Sequence, residues 1–269
     1  MTKVRIMRVA EWARPVPPVR REVLAALPEV DEGRPPVLFV PGFGHGAWVF
    51  AEHWLDHAAS RGFPAHAVSL RGHGGSGAAP KASLRAYTHD VIQVAASLPR
   101  RAVLVGHGAG ALVVTHALAR YPAHAGVLVA PVLGGWGTAG TALRHNPVGT
   151  LPAAFGGRLR LSRRQLFSRR LPDAAARAYA GRLGRAAARA QWQVLLGRPA
   201  EPAVGDPPVL VLGSPDDRVV PLPALNRAAA GYNAAPLLFP GMGHDLMLDA
   251  GWPEPIDAIL DWLEKDTRA

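Results

Sequence analysis

Short apolar runs alternate with stretches of helical periodicity along most of the chain. Six runs read as buried strands, at 35–42, 63–70, 101–106, 125–131, 207–214 and 236–241. Helices are predicted near 47–61, 84–98, 109–120, 222–231 and 254–265. The segments near 3–10 and 20–27 are candidates for additional edge strands, antiparallel ones included. Strands that alternate with helices predict an α/β fold with a mostly parallel, doubly wound sheet.

One interval interrupts this alternation. Residues 132–205 show no strand pattern, carry glycine and proline punctuation, and predict two helices, near 172–185 and 187–197. An insertion at this point would lie above the carboxyl ends of the strands, where open α/β sheets bind ligands. We therefore predict a core of residues 1–131 and 206–269, with 132–205 forming a helical, arginine-rich cap.

The composition narrows the classes of function. The chain has no cysteine, which excludes disulfides, thiolate metal sites and a cysteine nucleophile. The N-terminus lacks the apolar run of a signal peptide, and no apolar stretch is long enough to span a membrane. These features favour a soluble, cytoplasmic protein that does not work at a membrane.

The positive charge of the chain is concentrated in the predicted cap. The net charge is +10, and residues 131–205 account for it with twelve arginines, no lysine and two acids. A local basic field attracts anionic molecules. Because no nucleic-acid recognition motif accompanies the arginines, we expect a small-molecule substrate and no nucleic acid. The arginines suggest a substrate that carries an anionic group or is tethered to an acidic carrier, although a solvated helical face also explains them.

The segment VLVGHGAGALVV (103–114) reads as a buried strand, a glycine-rich turn and the start of an apolar helix. In the nucleophile elbow G-x-S-x-G, such a turn pushes a serine hydroxyl into a pocket. The corresponding residues are Gly106, His107, Gly108, Ala109 and Gly110. The turn of a serine hydrolase is therefore expected, with glycine at the position of the nucleophile.

Three further segments follow in the order that this turn requires. PGFGHGAW (41–48) comes after the first central strand, GSPDDRVVP (213–221) after a later one, and PGMGHDLMLDAGW (240–252) after the last. Together with SLRGHGGSG (69–77), these motifs resemble those of the α/β-hydrolase superfamily, whose chain order is nucleophile, acid, histidine. The resemblance covers nearly the whole chain outside the predicted cap.

The resemblance implies a role for individual residues. It assigns His244 as the catalytic base and Asp217 as the carboxylate that orients it, with Asp216 as the second choice. The backbone N–H groups of Phe43 and Ala109 would form the oxyanion hole. Candidate residues of the substrate pocket are His45, Trp48, Trp136 and Trp192, while His107 is expected to pack beside the turn.

Two other functions, dinucleotide binding and metal binding, are less well supported by the sequence. Residues 106–111 also fit G-x-G-x-x-G/A, the dinucleotide-binding fingerprint. That fingerprint needs an acid about 20 residues further on, and the next strand with its following turn, VLVAPVLGG (127–135), has none. No group of His, Asp and Glu has metal-ligand spacing along the chain, so neither a metal nor another cofactor is expected.

Glycine at position 108 leaves three explanations open, because no acyl-enzyme forms there without a hydroxyl. The first is a natural enzyme in which His244 acts as general base for non-covalent hydrolysis, elimination or cyclisation of a small hydrophobic carbonyl or ester substrate. The second is a serine esterase or thioesterase-type hydrolase whose serine was changed to glycine. The third is a catalytically inactive binding protein that kept the fold. The His244, Asp217 and oxyanion elements argue against the third explanation, and we favour the first over the second.

Overall fold

The computed structural model describes residues 15–134, 136–154, 160–197 and 200–266. Within them, seven strands form one sheet. These strands are β1 (Val23–Ala26), β2 (Val37–Val40), β3 (Ala65–Val68), β4 (Val103–His107), β5 (Ala125–Val129), β6 (Val209–Gly213) and β7 (Leu237–Leu238). Their order across the sheet is β1-β3-β2-β4-β5-β6-β7. β1 is antiparallel to β3, and every other pair is parallel.

The predicted doubly wound, mostly parallel α/β fold is therefore confirmed. The segment near 20–27 forms the antiparallel edge strand β1, whereas the segment near 3–10 lies outside the described residues. Each run predicted as a buried strand contains a strand, although the run at 236–241 contributes only two strand residues.

Helices cover both faces of the sheet. In chain order they are α1 (Trp48–Ala51), α2 (Trp54–Ser60), α3 (Leu84–Ser97), α4 (Ala109–Leu118), α5 (Trp136–His145), α6 (Pro147–Ala154), α7 (Arg163–Leu166), α8 (Asp173–Gly181), α9 (Ala188–Leu195), α10 (Leu222–Ala230) and α11 (Pro253–Asp266). The single helix predicted near 47–61 is wrong, since His53 leaves the helical region with φ −145° and separates α1 from α2. No helix in the described part of the chain is long and apolar enough to cross a bilayer.

The interval 132–205 holds α5 to α9, whereas the sequence predicted only α8 and α9. The additional helices are short or rich in poor helix formers: α5 contains two glycines and two threonines, and α6 carries Pro152 in its interior. Such sequences have low intrinsic propensity, so they fold as helices through packing. This interval contacts the strand-end loops, for example through Gly184 N–H, which donates to Gly44 O at 2.7 Å. Its status as a separate cap domain stays a prediction.

Alternate residues of the central strands pack into two apolar layers. In β2, Phe39 joins the layer formed by α1, α2 and α11, while Leu38 and Val40 join the layer of α3, α4 and α10. All four β2 residues are fully buried, as expected for a strand covered on both faces. The two layers enclose the sheet, and the loops after its carboxyl ends carry the candidate site.

Candidate active site

The turn between β4 and α4 has the geometry of a nucleophile elbow. Gly108 adopts φ 54° and ψ −124°, a conformation that glycine tolerates and other residues rarely adopt. Its N–H donates to Val129 O at 3.0 Å, and its carbonyl accepts from the N–H groups of Ala111 and Val132 at 3.1 and 2.9 Å. The turn is thus held by α4 on one side and by the end of β5 on the other.

The two flanking glycines allow a close approach of backbones. A Cβ at Gly106 would lie 2.6 Å from the Ala111 Cα, and one at Gly110 would lie 2.5 Å from the carbonyl oxygens of Val40 and Pro41. Both distances are shorter than real Cβ contacts, so α4 can cross the strand ends only with glycine at these positions. The Gly-x-x-x-Gly spacing is therefore explained by packing, independently of position 108.

His244 and Asp217 form a buried hydrogen-bonded pair. With the ring nitrogen assigned as donor, His244 Nδ1–H donates to Asp217 Oδ2 at 2.8 Å. The other carboxylate oxygen of Asp217 accepts the backbone N–H groups of Val219 and Val220 at 2.6 and 3.0 Å. The side chains of His244 and Asp217 are 4% and 1% exposed, so the pair is shielded from water. Asp216 instead accepts the N–H of Gly241 at 2.7 Å and is exposed.

The charges around His244 favour its protonated form. Burial acts to lower the pKa of His244, but the nearby carboxylates of Asp217 and Asp245 outweigh burial and raise it above its usual value. Such a shift makes the imidazole a stronger proton acceptor. An oriented, carboxylate-bound histidine of this kind can act as a general base.

The free ring nitrogen of His244 faces Gly108. A Cβ built at Gly108 would lie 3.1 Å from His244 Nε2 and 3.8 Å from the Gly42 Cα. The imidazole and Gly42 thus border the volume that a side chain at position 108 would fill.

The two backbone amides predicted for the oxyanion hole belong to the residues that follow Gly42 and Gly108 in the chain. Ala109 is the first residue of α4, whose initial N–H groups have no partner within the helix. Phe43 follows β2, and its ring packs against Tyr87 with centroids 5.4 Å apart. Within the described part of the chain, neither amide N–H has a hydrogen-bond acceptor. Their role as the oxyanion hole stays a prediction.

Sequence reasoning missed a second buried carboxylate beside the base. Asp245 has no exposed surface, and its Oδ2 lies 3.0 Å from His45 Nε2. His107 Nε2 lies 3.5 Å from Asp245 Oδ1 and 3.1 Å from the His244 carbonyl oxygen. The sequence signal was the acid directly after the histidine of Gly-His-Asp, but only the fold brings His45 and His107 to it.

Within the buried cluster of His45, His107, His244 and Asp245, the pKa values of the last three shift in different directions. Burial and the neighbouring charge of His244 lower the pKa of His107 to about 3, so that imidazole is neutral. Burial acts to raise the pKa of Asp245, while His45, His107 and His244 hold it below its usual range. A negative Asp245 thus lies under the base and adds to the raised pKa of His244.

The structure brings together a group with metal-binding residue types that the sequence did not indicate. Donor atoms of His107, His244 and Asp245 lie within 4.8 Å of one another. However, the His107 nitrogen that faces Asp245 contacts the His244 carbonyl oxygen, and the partnerless Nδ1 points toward Gly42. His244 also uses Nδ1 to bind Asp217. Hydrogen bonds thus already engage His107 Nε2 and His244 Nδ1, and the arrangement fits a hydrogen-bonded cluster better than a metal site.

The structure describes the side chains of three of the four predicted pocket residues. His45 is buried, with Nδ1 3.1 Å from Phe43 O and Nε2 bound to Asp245, so contact with a substrate would require one of these bonds to break. Trp48 is half-buried under the Arg182 guanidinium, 3.8 Å from the ring centre. Trp192 on α9 is 37% exposed, and the side chain of Trp136 lies outside the described part of the structure.

The chain belongs to the α/β hydrolase family. The model of that family matches residues 37–261, most of the chain. This agrees with the sheet order, the elbow turn and the His244–Asp217 pair described above. No curated protein matches this chain.

Solved structures of lipases and esterases share the fold. A monoacylglycerol lipase from Paleococcus ferrophilus is 22% identical, with a TM-score of 0.70 over 91% of this chain and 98% of that one. A soluble variant of monoglyceride lipase from Saccharomyces cerevisiae is 13% identical, with a TM-score of 0.73 over 92% and 91%. A thermophilic esterase from Thermogutta terrifontis is 19% identical, with a TM-score of 0.66 over 92% and 94%.

Proposed function

We propose that this chain is a hydrolase-like enzyme that cleaves small hydrophobic esters without a covalent intermediate. His244 is the general base, Asp217 orients it, and the N–H groups of Phe43 and Ala109 bind the oxyanion. Family membership and the shared fold of esterases and lipases support the reaction class. Glycine at position 108 supports the absence of an acyl-enzyme.

One observation carries the proposal. The Nε2 atom of a buried, carboxylate-bound His244 faces the volume beside Gly108, and we propose that the attacking water or a substrate group occupies this volume. In a serine hydrolase the nucleophile fills this volume. In this chain, we propose that His244 and the N–H groups of Phe43 and Ala109 act around Gly108, which has no side chain to fill that volume.

The proposed reaction follows from these positions. His244 Nε2 removes a proton from a water molecule as the water oxygen attacks the ester carbonyl carbon. The carbonyl oxygen becomes an oxyanion, which the N–H groups of Phe43 and Ala109 stabilise. When the tetrahedral intermediate collapses, the C–O bond to the alcohol breaks and the protonated His244 returns its proton to the leaving oxygen. Elimination or cyclisation would use the same base on a substrate C–H or O–H.

The substrate is proposed to enter between the strand-end loops and the helices of 132–205. His45, Trp48, Trp136 and Trp192 stay predictions for its pocket. The arginines of the same interval support a substrate with an anionic group or an acidic carrier. This reading rests on charge, and activity on anionic compared with neutral esters tests it.

Hydrolysis of p-nitrophenyl acyl esters tests the base. His244→Ala should lower kcat/KM by about 10²–10⁴-fold, the usual contribution of a general base. His57→Ala is the matched control because His57 also binds a carboxylate, Asp257, at 2.7 Å but lies outside the site. Its activity should stay within about two-fold of wild type. Full activity of His244→Ala would remove the general-base mechanism.

Transient kinetics and labelling separate the three explanations for Gly108. The non-covalent enzyme should show neither a product burst nor an adduct with a serine-directed phosphonate. A labelled wild-type protein would mean that another serine serves, and the buried Ser214 beside the acid loop should be checked first. If neither wild type nor His244→Ala acts on any ester tested, a binding protein is favoured. If the native gene encodes serine at position 108, the second explanation holds: the protein is a serine hydrolase whose nucleophile was changed to glycine.

A further inference from the structure

A cleft of about 860 Å³ lies beside the loops that hold His244 and Asp217. Its walls come from α7, the start of α8 and the loops around Asp216 and Gly241. Five arginines line it: Arg163, Arg164, Arg169, Arg170 and Arg218. Because Asp173 and Asp216 are the two acids of the lining, the walls carry a net positive charge. We refer to this space as the arginine cleft.

Little of this positive charge is neutralised locally. Asp216 accepts the N–H of Gly241 at 2.7 Å. Asp173 lies 3.9 Å from Arg163 with its side chain 84% exposed, which is a weak surface contact. Among the described residues, no carboxylate forms an ion pair with any of the other four cleft arginines. Their guanidinium groups are therefore available to an anion from solution.

The floor of the arginine cleft is apolar. Phe167, Ala176 and Met242 are buried there, and Leu171 is half-buried. The volume lies in the range of about 300–1,000 Å³ that is usual for small-molecule sites. A charged rim above an apolar floor fits a ligand with an anionic group and an apolar body. An extended acidic polymer would leave the floor unused.

We propose that the arginine cleft binds an organic phosphate monoester. Its phosphate would be bound among the arginines, since guanidinium groups form paired, charge-assisted hydrogen bonds with phosphate oxygens. Several guanidinium groups around one cleft also match the doubly charged, three-oxygen phosphate better than a single carboxylate. The apolar body of the ligand would cover Phe167 and Met242.

The arginine cleft is distinct from the proposed catalytic centre. Neither His244 nor Gly108 lines it. It nevertheless touches both loops of the His–Asp pair, through Arg218 next to Asp217 and through Gly243 next to His244. A bound phosphate monoester would therefore contact the loops that carry His244 and Asp217. This places it where binding can change activity without contact with the reacting atoms.

Calorimetric titration with 1-naphthyl phosphate tests the site. One molecule should bind per chain, and Arg164→Gln/Arg218→Gln should weaken binding at least ten-fold. Arg177→Gln/Arg189→Gln is the matched control: it removes the same charge from exposed positions of α8 and α9 outside the cleft lining. Its affinity should stay within about two-fold of wild type, and higher salt should weaken binding.

Two further ligands test separately the arginines, which should bind the phosphate, and the apolar floor, which should bind the apolar body. 1-Naphthol and inorganic phosphate should each bind at least ten-fold more weakly than 1-naphthyl phosphate. His244→Ala should bind the monoester like wild type, so loss of the catalytic function and loss of this site are distinguished. The proposal would be overturned if the cleft double variant and the control double variant weakened binding of 1-naphthyl phosphate equally. It would also be overturned if inorganic phosphate bound as tightly as 1-naphthyl phosphate. Binding of a polyglutamate peptide to the same arginines without binding of the monoester would likewise overturn it.

Discussion

The free nitrogen of His244 lies 3.1 Å from the point where a side-chain carbon of residue 108 would begin. This distance is tighter than most real Cβ contacts, so any residue larger than glycine must push the imidazole by a few tenths of an ångström. At the same time, Asp217 holds that imidazole from behind at 2.8 Å. Gly108 and His244 thus fit each other, and changes at either residue should affect both stability and chemistry.

Gly108→Ser should test whether the elbow still accepts a nucleophile. The φ of 54° strains any residue with a Cβ, and such strain costs about 1–3 kcal/mol of unfolding free energy. The hydroxyl would lie beside His244 Nε2, so we expect covalent labelling by a serine-directed phosphonate, measured by intact mass.

Gly108→Ala is the control for that variant. It adds the same Cβ without a hydroxyl, so denaturant unfolding should show a similar loss of stability and mass spectrometry should show no label. If the serine variant folds normally but stays unlabelled, His244 does not activate a hydroxyl at this position, and the assigned geometry is wrong.

The pH dependence of kcat/KM should report the environment of His244. Catalysis by a base needs the neutral imidazole, so activity should rise with pH through a pKa above about 6.5, the ordinary value for histidine. Asp217→Asn removes the carboxylate charge and should move this pKa downward while lowering the rate. An acidic limb that stays in place in Asp217→Asn would contradict the proposed pair.

The stability of the folded protein should depend on His107 at acid pH. Its pKa is lowered to about 3 in the fold, against about 6.5 in the unfolded chain. Between these values the unfolded state binds more protons, so this contribution to stability is complete above pH 6.5 and is lost as the pH falls toward 3. Urea unfolding from pH 4 to 7 should show a shallower pH slope for His107→Gln, which keeps an N–H donor but does not titrate. An unchanged slope would mean that His107 is not buried as described.

The motif SLRGHGGSG should prove structural. Arg71 donates from Nε and Nη2 to the two oxygens of Asp90, each at 2.7 Å, and neither side chain is more than 5% exposed. Arg71→Ala leaves the buried Asp90 carboxylate with Arg21, 3.2 Å away, as its remaining cationic partner, and should cost about 3 kcal/mol of unfolding free energy, the lower end of the usual range for breaking a buried pair. Arg61→Ala removes a surface arginine with three acidic neighbours and should cost at most about 1 kcal/mol. Similar losses in both variants would show that the Arg71 pair is not buried.

Local patterns predicted the parts of the fold that depend on short-range physics. Buried strands such as β2 and β4 are continuous apolar runs, and α4 begins directly after its glycine turn. The order of the motifs also indicated that Gly108, Asp217 and His244 would meet. The helices α5 and α6 were missed because their glycines, threonines and prolines carry weak helix signals, and packing decides such segments.

The amino-acid sequence by itself determined the α/β fold through its periodicity, and its resemblance to the α/β-hydrolases implied that Gly108 lies in the tight turn after a strand and that an acid pairs with His244. Only the tertiary structure decided the rest. It placed Asp217 and not Asp216 on the imidazole, brought His45 and His107 around Asp245, and gathered arginines from α7 and from the acid loop into one cleft. These contacts join residues far apart in the chain, and their geometry depends on how the loops pack over the sheet.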